Sequence, residues 1–238
     1  MTTLVLLPGM DGTGELLDAF AAAVSPGIKV KVLRYPTTKA LDYAGLEAVA
    51  RAALPVDEPY VLLGESFSGP IAISLAASRP PQLVGLVLCC TFARNPRPSM
   101  AVFRPLLSLL PVAVAPVGLL ARLLLGRFYT VVWRAALSGA LDQVAPPVLR
   151  SRLHAVLSVD VSRQLARVVV PTLYLRGAQD DVVPRSSGQH VLEVKPNTTM
   201  MELEAPHFLL QVLPEEAARA VSEFIAAVTS QPFTTAIK

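Results

Sequence analysis

Ser66 lies in a short run of small residues that follows a strongly apolar segment. Residues 60–63 predict a buried strand, residues 64–69 (Gly-Glu-Ser-Phe-Ser-Gly, the serine turn) a tight turn, and residues 70–77 an apolar helix. A serine on such a turn stands out at the end of a sheet, where its hydroxyl can attack a carbonyl carbon. The positions two before and two after it, a glycine and a serine here, are small, as the strained and crowded backbone requires.

A serine hydroxyl needs a base to act as a nucleophile at neutral pH, and the chain offers three histidines. His207 follows the sixth predicted strand, in the loop before the last helix. A loop at the carboxyl end of a strand is where the base must lie. His154 falls in a helical region and His190 in a helical stretch after the fifth strand, where surface or core positions are expected. His207 is therefore the predicted base.

A neutral imidazole that acts as a base needs an acid to orient it and to stabilise the imidazolium that forms. Asp180 and Asp181 both follow the fifth predicted strand. Position alone leaves both open, because one of them can be a simple turn residue.

The oxyanion that forms during attack on a carbonyl needs two N–H donors that are already in place. The first is predicted at Phe67, directly after the serine. The second is predicted in the turn after the first strand (residues 8–14, the oxyanion turn), with Met10 the preferred donor and Gly9 allowing close approach of the backbone. Two other interpretations of this turn are an ordinary Asp-Gly turn into a helix and a phosphate loop, although no Gly-Lys-Ser/Thr follows.

Apolar strand patterns alternate with helical ones along most of the chain. The alternation predicts an α/β fold with a mostly parallel sheet of about six strands and helices on both faces. Ligands of such sheets bind beyond the carboxyl ends of the strands, where the serine, the aspartates and His207 are expected. The predicted strands are residues 4–7, 30–35, 60–63, 83–90, 168–175 and 199–203, and the predicted helices are residues 15–24, 42–54, 70–77 and 214–228.

The alternation is interrupted from residue 94 to residue 167, which predicts a helical insertion. The insertion holds ten arginines and two acidic residues, Asp142 and Asp160, so it carries a net charge of +8 against +3 for the whole chain. Arginines on the solvated outside of helices explain this charge most simply. The alternative is a basic face for anionic substrates, acidic acyl carriers or membrane surfaces. Nucleic acid is not a predicted partner, because no binding motif or interleaved aromatic residues accompany the charge.

The composition sets further bounds. With 238 residues, 53% of them hydrophobic, the chain is long enough for one α/β domain with a large core. No transmembrane segment is predicted, since the longest uncharged stretch, residues 105–121, contains three prolines. No signal peptide is recognised, and the neighbouring Cys89 and Cys90 indicate buried thiols, so a cytoplasmic location is expected. No histidine and cysteine cluster has metal-ligand spacing, so no metal is predicted.

Together these motifs resemble the α/β-hydrolase superfamily over nearly the whole chain. In that family the acid usually lies three residues after a glycine such as Gly177, which favours Asp180 over Asp181. The order serine, acid, histidine along the chain is also the family's order. The segments that carry the resemblance are the oxyanion turn, the serine turn, the acid loop and the histidine loop, at residues 7–10, 64–69, 177–184 and 206–208.

The resemblance includes departures from the usual pattern. The oxyanion turn has Pro8-Gly9 where His-Gly is usual. The antiparallel strands that usually come first are absent, because the chain begins at the first parallel strand, which implies a trimmed core of about six strands. The family's organisation implies an α/β-hydrolase core at residues 1–93 and 168–238, with residues 94–167 as a helical cap over the active site.

The residues and the resemblance predict a serine hydrolase of the carboxylesterase type that needs no cofactor. Ser66, His207 and Asp180 would form the catalytic triad, and the N–H groups of Met10 and Phe67 would hold the oxyanion. The expected substrate is a small to medium, fairly apolar ester. The side chains expected to line its pocket are Phe128, Trp133, Val183 and Phe208.

Other functions would use the same residues. An acyl thioesterase or an acyl-carrier-protein methyl ester esterase would keep the triad, and the basic insertion would suit an acidic carrier. A cofactor-free perhydrolase or C–C hydrolase is a further alternative. An intact triad disfavours a non-catalytic binding protein on this fold. The sequence predicts no particular oligomeric state.

Overall fold

Six strands form one parallel sheet, as the sequence predicts. They are β1 (Thr2–Leu7), β2 (Ile28–Val32), β3 (Tyr60–Glu65), β4 (Leu83–Cys89), β5 (Thr172–Gly177) and β6 (Thr198–Leu203). The structure is a computed structural model that describes residues 2–99 and 116–230. Across the sheet the strands follow the order β2-β1-β3-β4-β5-β6, and every neighbouring pair is parallel. All six carboxyl ends therefore lie along the same edge.

Successive side chains of each strand point to opposite faces of the sheet and pack in two separate cores. On β1, Val5 and Leu7 enter one core, while Leu4 and Leu6 enter the other. Every residue of β3 and β4 is buried. This is the burial expected of central strands in a parallel sheet that is covered on both faces.

Helices cover both faces and also form the insertion. Outside the insertion they are α1 (Asp18–Ala23), α2 (Tyr43–Ala52), α3 (Gly69–Ala77), α8 (Arg185–Val194), α9 (Leu209–Val212) and α10 (Pro214–Ser230). Within it they are α4 (Val117–Leu125), α5 (Val131–Asp142), α6 (Pro146–Ser158) and α7 (Ser162–Leu165). Helices α2, α3 and α8 pack in the core that contains Val5, and α1, α9 and α10 pack in the core that contains Leu4.

The second strand ends earlier than predicted. Residues 30–35 were expected to be extended, but β2 ends at Val32. The N–H of Tyr35 turns away from the sheet and donates to the Gly12 carbonyl at 2.8 Å. Leu33 still donates its N–H to the Leu6 carbonyl at 2.9 Å, so it is only from Tyr35 onward that the chain supports the oxyanion turn.

The fifth strand begins and ends later than predicted. Residues 168–175 were expected, but Pro171 has no N–H to give to a ladder, and β5 begins directly after it. The strand continues through Arg176, whose guanidinium pairs with the carboxylate of Glu202 on β6. A charged residue can occupy this buried strand because its partner lies on the neighbouring strand.

The residues between β4 and β5 contain the predicted helical insertion. Its two ends meet, because Arg94 and Asp160 form an isolated antiparallel bridge. Residues 100–115 of the insertion lie outside the described residues, and the division into core and cap stays a prediction. In the described ranges, no helix is long and apolar enough to cross a membrane. The cytoplasmic location stays a prediction.

Candidate active site

Ser66 occupies a strained position between β3 and α3. Its φ is +48°, in the left-handed region that residues other than glycine rarely adopt. A Cβ on Gly64 would lie 2.8 Å from the Cβ of Ala72, so glycine lets α3 approach the end of β3. The Thr91 hydroxyl donates to the Ser66 carbonyl and helps to hold the serine in this conformation.

Ser68 takes the second small position of the serine turn, where the resembled family usually has glycine. Its buried hydroxyl donates to the Pro8 carbonyl and accepts the Tyr35 hydroxyl at 2.9 Å. The serine therefore ties the serine turn to the start of the oxyanion turn. A glycine could not make this contact.

His207 and Asp180 extend from Ser66 in a connected series of hydrogen bonds. Ser66 Oγ lies 2.8 Å from Nε2 of His207, whose Nδ1 lies 2.9 Å from Oδ2 of Asp180. The other carboxylate oxygen of Asp180 accepts the N–H groups of Val182 and Val183 at 2.9 and 2.8 Å. The imidazole is therefore held with one nitrogen toward the serine and the other toward a fixed, buried carboxylate.

Gly177, at the end of β5, allows the loops of this acid and this imidazole to come together. A Cβ there would collide with the carbonyl oxygens of Ala205 and Pro206, in the loop that carries His207. The Gln179 N–H also donates to the Ala205 carbonyl at 3.0 Å. Main-chain contacts thus help to set the distance between the acid and the imidazole.

The other acid and histidines that the sequence offered lie elsewhere. The side chain of Asp181 is exposed, and its main-chain carbonyl accepts from Arg97. His190 on α8 has Nε2 2.8 Å from Oγ of Ser162. His154 is half-buried on α6. The geometry therefore groups Asp180, rather than Asp181, with His207.

The oxyanion turn is held by hydrogen bonds that leave the predicted donor available. The Gly9 N–H donates to Oε2 of Glu65 at 3.1 Å, and the Gly9 carbonyl accepts the Gly12 N–H at 3.1 Å. Met10 lines the cavity beside the serine, and its N–H donates to no other described residue. Phe67 lies in the first turn of a short helix, where N–H groups have no intrahelical acceptor.

Glu65, directly before the serine, is a buried carboxyl group that lines the cavity. It accepts the Gly9 N–H with one oxygen and Nε2 of Gln211, at 2.8 Å, with the other. Burial raises the pKa of Glu65 to about 7; the Gln211 hydrogen bond opposes this shift, and the negative charge of Asp11 adds to it. The carboxyl that holds the oxyanion turn therefore titrates near neutral pH.

Arg152 reaches the oxyanion turn from α6 and is only 1% exposed. Its Nη1 donates to the carbonyls of Met10 and Asp11 at 2.8 and 2.7 Å, and its Nη2 donates to the Pro36 carbonyl at 3.0 Å. The expectation that the arginines of the insertion lie on the solvated outside of helices is wrong for this residue. Three main-chain carbonyls replace the water around its guanidinium.

A cavity of about 250 Å³ opens beside Ser66. Glu65 and His207 join the serine at its polar end, while Val182 and Phe208 contribute to its apolar wall. Helices α4, α5 and α6 of the insertion supply five more aliphatic side chains. These are Leu120, Leu124, Leu137, Leu141 and Leu153.

Of the four side chains predicted to line the pocket, Phe208 does so and the other three lie elsewhere. Val183 is buried in the core against the sheet, and its neighbour Val182 reaches the cavity instead. Trp133 packs against an apolar cluster that joins the insertion to Leu16 and Phe208, and it does not itself line the cavity. The ring of Phe128 faces the guanidinium of the preceding arginine at 5.1 Å. The sequence identifies these residues as large and apolar but does not indicate which side of a short helix or loop faces the substrate.

Residues 4–223 match the model of the Alpha/beta hydrolase family. This chain belongs to the α/β-hydrolase family. A segment of 115 residues, 46% of the chain, is 30% identical to phytyl ester synthase 1, chloroplastic, of Arabidopsis thaliana and covers 16% of that protein. The chain spans less than a quarter of the length of the curated relatives that it matches.

Solved structures of α/β hydrolases share the fold of nearly the whole chain. A hydrolase from Pseudomonas aeruginosa PA01 has a TM-score of 0.79 and 22% identity over 94% of this chain and 89% of that one. The esterase RhEst1 from Rhodococcus sp. ECU1013 has a TM-score of 0.74 and 21% identity over 95% of this chain and 91% of that one. At these identities the likeness shows the fold alone, so the chemistry of this α/β hydrolase is argued from its own site.

A group of potential metal ligands among the described residues coincides with the catalytic candidates. Ligand atoms of Cys90, Asp180 and His207 lie within 4.8 Å of one another, and all three residues are buried. No spacing in the sequence indicates this group, because the fold brings it together from three separate loops. Asp180 and His207 are already hydrogen-bonded to each other.

Sequence reasoning missed two charged residues of this α/β-hydrolase site, Glu65 and Arg152. Glu65 could have been recognised from the sequence, because it is a charged residue between a predicted buried strand and the candidate nucleophile. Nothing in the sequence distinguishes Arg152 from the nine other arginines of the insertion. Only the packing of α6 against the oxyanion turn separates it from them.

The raised pKa of Glu65 predicts that ionisation of this carboxyl destabilises the folded protein. Because the pKa rises from 4.5 to about 7 on folding, the stabilising contribution is complete below pH ~4.5 and is lost as the pH rises through ~7, an effect of roughly 3 kcal/mol. Glu65→Gln keeps an oxygen for the Gly9 N–H but cannot ionise. We expect the variant to gain stability relative to the wild type as the pH rises, and the difference to level off above pH ~7.

Urea unfolding of both proteins between about pH 5 and about pH 8 measures this difference. Ionisations that the two proteins share cancel in it. A difference that does not change with pH would contradict the raised pKa.

Proposed function

We propose that this α/β hydrolase is a serine hydrolase that cleaves carboxylic esters through an acyl-enzyme. The observation that carries the proposal is the hydrogen-bonded series Ser66–His207–Asp180, with distances of 2.8 and 2.9 Å. It lies at the carboxyl edge of the sheet, with the serine on a strained turn and an apolar cavity beside it. This combination provides a nucleophile, a base and an oriented acid in one place.

The proposed reaction has two halves that use the same groups. Ser66 Oγ attacks the acyl carbon while its proton passes to Nε2 of His207, and Asp180 stabilises the imidazolium. The N–H groups of Met10 and Phe67 hold the oxyanion. The alcohol leaves with the proton from Nε2. Water then attacks the acyl-enzyme while Nε2 of His207 takes its proton, and the carboxylic acid is released as Nε2 returns that proton to Ser66 Oγ. Every group that these steps need comes from the protein or the solvent.

The cavity supports an apolar ester of small to medium size as the substrate. Its volume of about 250 Å³ is slightly below the range of roughly 300–1,000 Å³ that is usual for small-molecule pockets. The leucines of the insertion give it an aliphatic wall. An acyl chain of medium length would fill this space and bury its surface against those side chains.

An acyl thioester is the second candidate substrate for the same residues. Arg122, Arg127 and Arg134 are exposed on the insertion, near helices that also line the cavity. Their charge would suit an acidic acyl carrier. Oxygen esters and thioesters of the same acyl chain therefore need to be compared as substrates.

Turnover that depends on Ser66 is the first expected result. The wild type should hydrolyse p-nitrophenyl esters, and a fluorophosphonate probe should label Ser66. Ser66→Ala should abolish the labelling and reduce kcat by roughly 10⁴- to 10⁶-fold. A thioester of the same acyl chain, assayed in parallel, decides between the two candidates by its kcat/KM. Hydrolysis or labelling that persists in Ser66→Ala would contradict the proposal.

Asp180 and Asp181 provide a matched pair for the proposed acid. Asp180→Asn should lower kcat by roughly 10³- to 10⁴-fold, because the amide no longer holds the imidazole in the tautomer that accepts the serine proton. Asp181→Asn should leave kcat close to that of the wild type, since its side chain is exposed. Steady-state kinetics with one ester compares the two. A strong loss in Asp181→Asn with a mild one in Asp180→Asn would reverse the assignment.

Acyl-chain length should change the rate in a way that reports on the cavity. Each added methylene that becomes buried should raise kcat/KM about fourfold, from ~0.8 kcal/mol per methylene, until the cavity is full. Leu120→Phe reduces the space and should shift the optimum to shorter chains. Leu119→Phe, on the exposed side of the same helix, is its control. If both variants keep the wild-type optimum, the chain does not bind in this cavity.

A further inference from the structure

Arg152 carries a buried positive charge that is hydrogen-bonded to main-chain carbonyls. Its guanidinium lies on three of them, those of Met10, Asp11 and Pro36, at 2.7–3.0 Å. No carboxylate oxygen of the described residues lies within ion-pair distance of it. Removing a guanidinium from water is costly, and the neighbouring Asp11 offsets only part of that cost. An apolar side chain would pack α6 against these loops without it.

The contact lies directly on the oxyanion turn. Gly12 has a φ of +71°, and a Cβ on it would lie 2.6 Å from Nη1 of Arg152. The guanidinium therefore occupies the space that a side chain at Gly12 would need. Arg152 fixes the two carbonyls that follow the Met10 N–H, whereas Glu65 fixes the N–H that precedes it, on Gly9. The proposed oxyanion donor sits between these two anchors.

We propose that Arg152 is a positioning residue for the reaction, which holds the Met10 N–H where it meets the oxyanion. This inference rests on the proposed function, because the oxyanion is that of the ester reaction. It makes α6 of the insertion part of the catalytic machinery as well as part of the cavity wall. In this proposal α6, which lies in the insertion, holds the Met10 N–H, which belongs to the α/β core.

A purely structural role is the alternative that the test must separate. Helix α6 is also docked by the Ala145 N–H on the Thr37 carbonyl at 2.9 Å and by the Ser151 hydroxyl on the Leu41 carbonyl at 3.3 Å. If Arg152 only adds to this docking, its loss lowers stability and leaves the chemistry of the folded protein unchanged. If it positions the turn, its loss weakens binding of the transition state more than binding of the substrate.

The experiment compares Arg152→Met, which removes the charge, with Arg152→Lys, which keeps it but loses the planar fork. Arg219→Met, at an exposed position of α10 outside the insertion, is the control. For each folded protein, kcat and KM are measured with a short neutral p-nitrophenyl ester. The inhibition constant of a trifluoromethyl ketone is also measured, since its adduct with serine places an oxyanion in the same site. Urea unfolding gives the stability of each variant separately.

We expect kcat to fall by roughly 10²-fold in Arg152→Met, as for a misplaced catalytic group, with little change in KM. The inhibition constant should rise in parallel with the loss of kcat/KM. Arg152→Lys should fall between the wild type and Arg152→Met, and it remains informative if Arg152→Met does not fold. Lower stability together with wild-type kcat and inhibition in either folded variant would overturn the inference.

A separate readout distinguishes failure of this inference from failure of the proposed function. Amide hydrogen exchange of residues 8–14 should become faster in both variants than in the wild type and in Arg219→Met. If the wild type turns over neither ester nor thioester, the proposed function fails. In that case the positioning role in the ester reaction fails with it, and exchange then reports only whether Arg152 holds the oxyanion turn: faster exchange shows that it does, and unchanged exchange shows that it does not.

Discussion

The left-handed backbone at Ser66 is the constraint on which the rest of the site depends. Such a conformation costs ~1–2 kcal/mol for an L-residue and persists only where its surroundings hold it. Two glycines provide the room, because a Cβ on Gly64 would meet α3 and a Cβ on Gly69 would collide with Thr91. The Thr91 hydroxyl then binds the Ser66 carbonyl. The serine follows β3, a strand inside the sheet and not at its edge. Every residue of β3 and of its neighbour β4 is buried, and this burial offsets the cost of the strained backbone.

The charged groups around the serine are held largely by main-chain atoms. Asp180 accepts two backbone N–H groups besides the imidazole, Glu65 accepts the Gly9 N–H, and Arg152 donates to three carbonyls. A buried charge without partners would be expensive, so each of them constrains the loop that satisfies it. The geometry of the site therefore follows from the paths of the loops at the carboxyl edge, and a shift of one loop changes the partners of a charge.

The parts of this structure that the sequence predicts well are those that a local rule dictates. The serine turn needs small residues around Ser66, and the end of the fifth predicted strand identifies the region of the acid. The choice of Asp180 within that region comes from the resemblance, whose glycine corresponds to Gly177, where a Cβ would collide with the loop that carries His207. Side chains whose surroundings depend on packing could not be predicted. Val182 rather than Val183 faces the cavity. Arg152 is buried, although its position in the sequence does not differ recognisably from those of the other arginines of the insertion. Strand ends fall between these cases, since Pro171 is visible in the sequence but the turn of Tyr35 toward Gly12 is not.

The insertion connects the space for the substrate with the geometry of the oxyanion turn through two neighbouring residues. On an α-helix, successive side chains point about 100° apart. Leu153 therefore reaches the cavity wall while Arg152, one position before it, reaches the oxyanion turn. Because protein interiors are close-packed, a substrate bound in the proposed way would press on Leu153 and thereby on the same turn of α6 that binds the carbonyls of Met10 and Asp11. Under the proposed function, the shape of the cavity and the geometry of the oxyanion turn would be coupled, so an insertion exchanged to change the size of the cavity would also have to replace the contact that Arg152 makes.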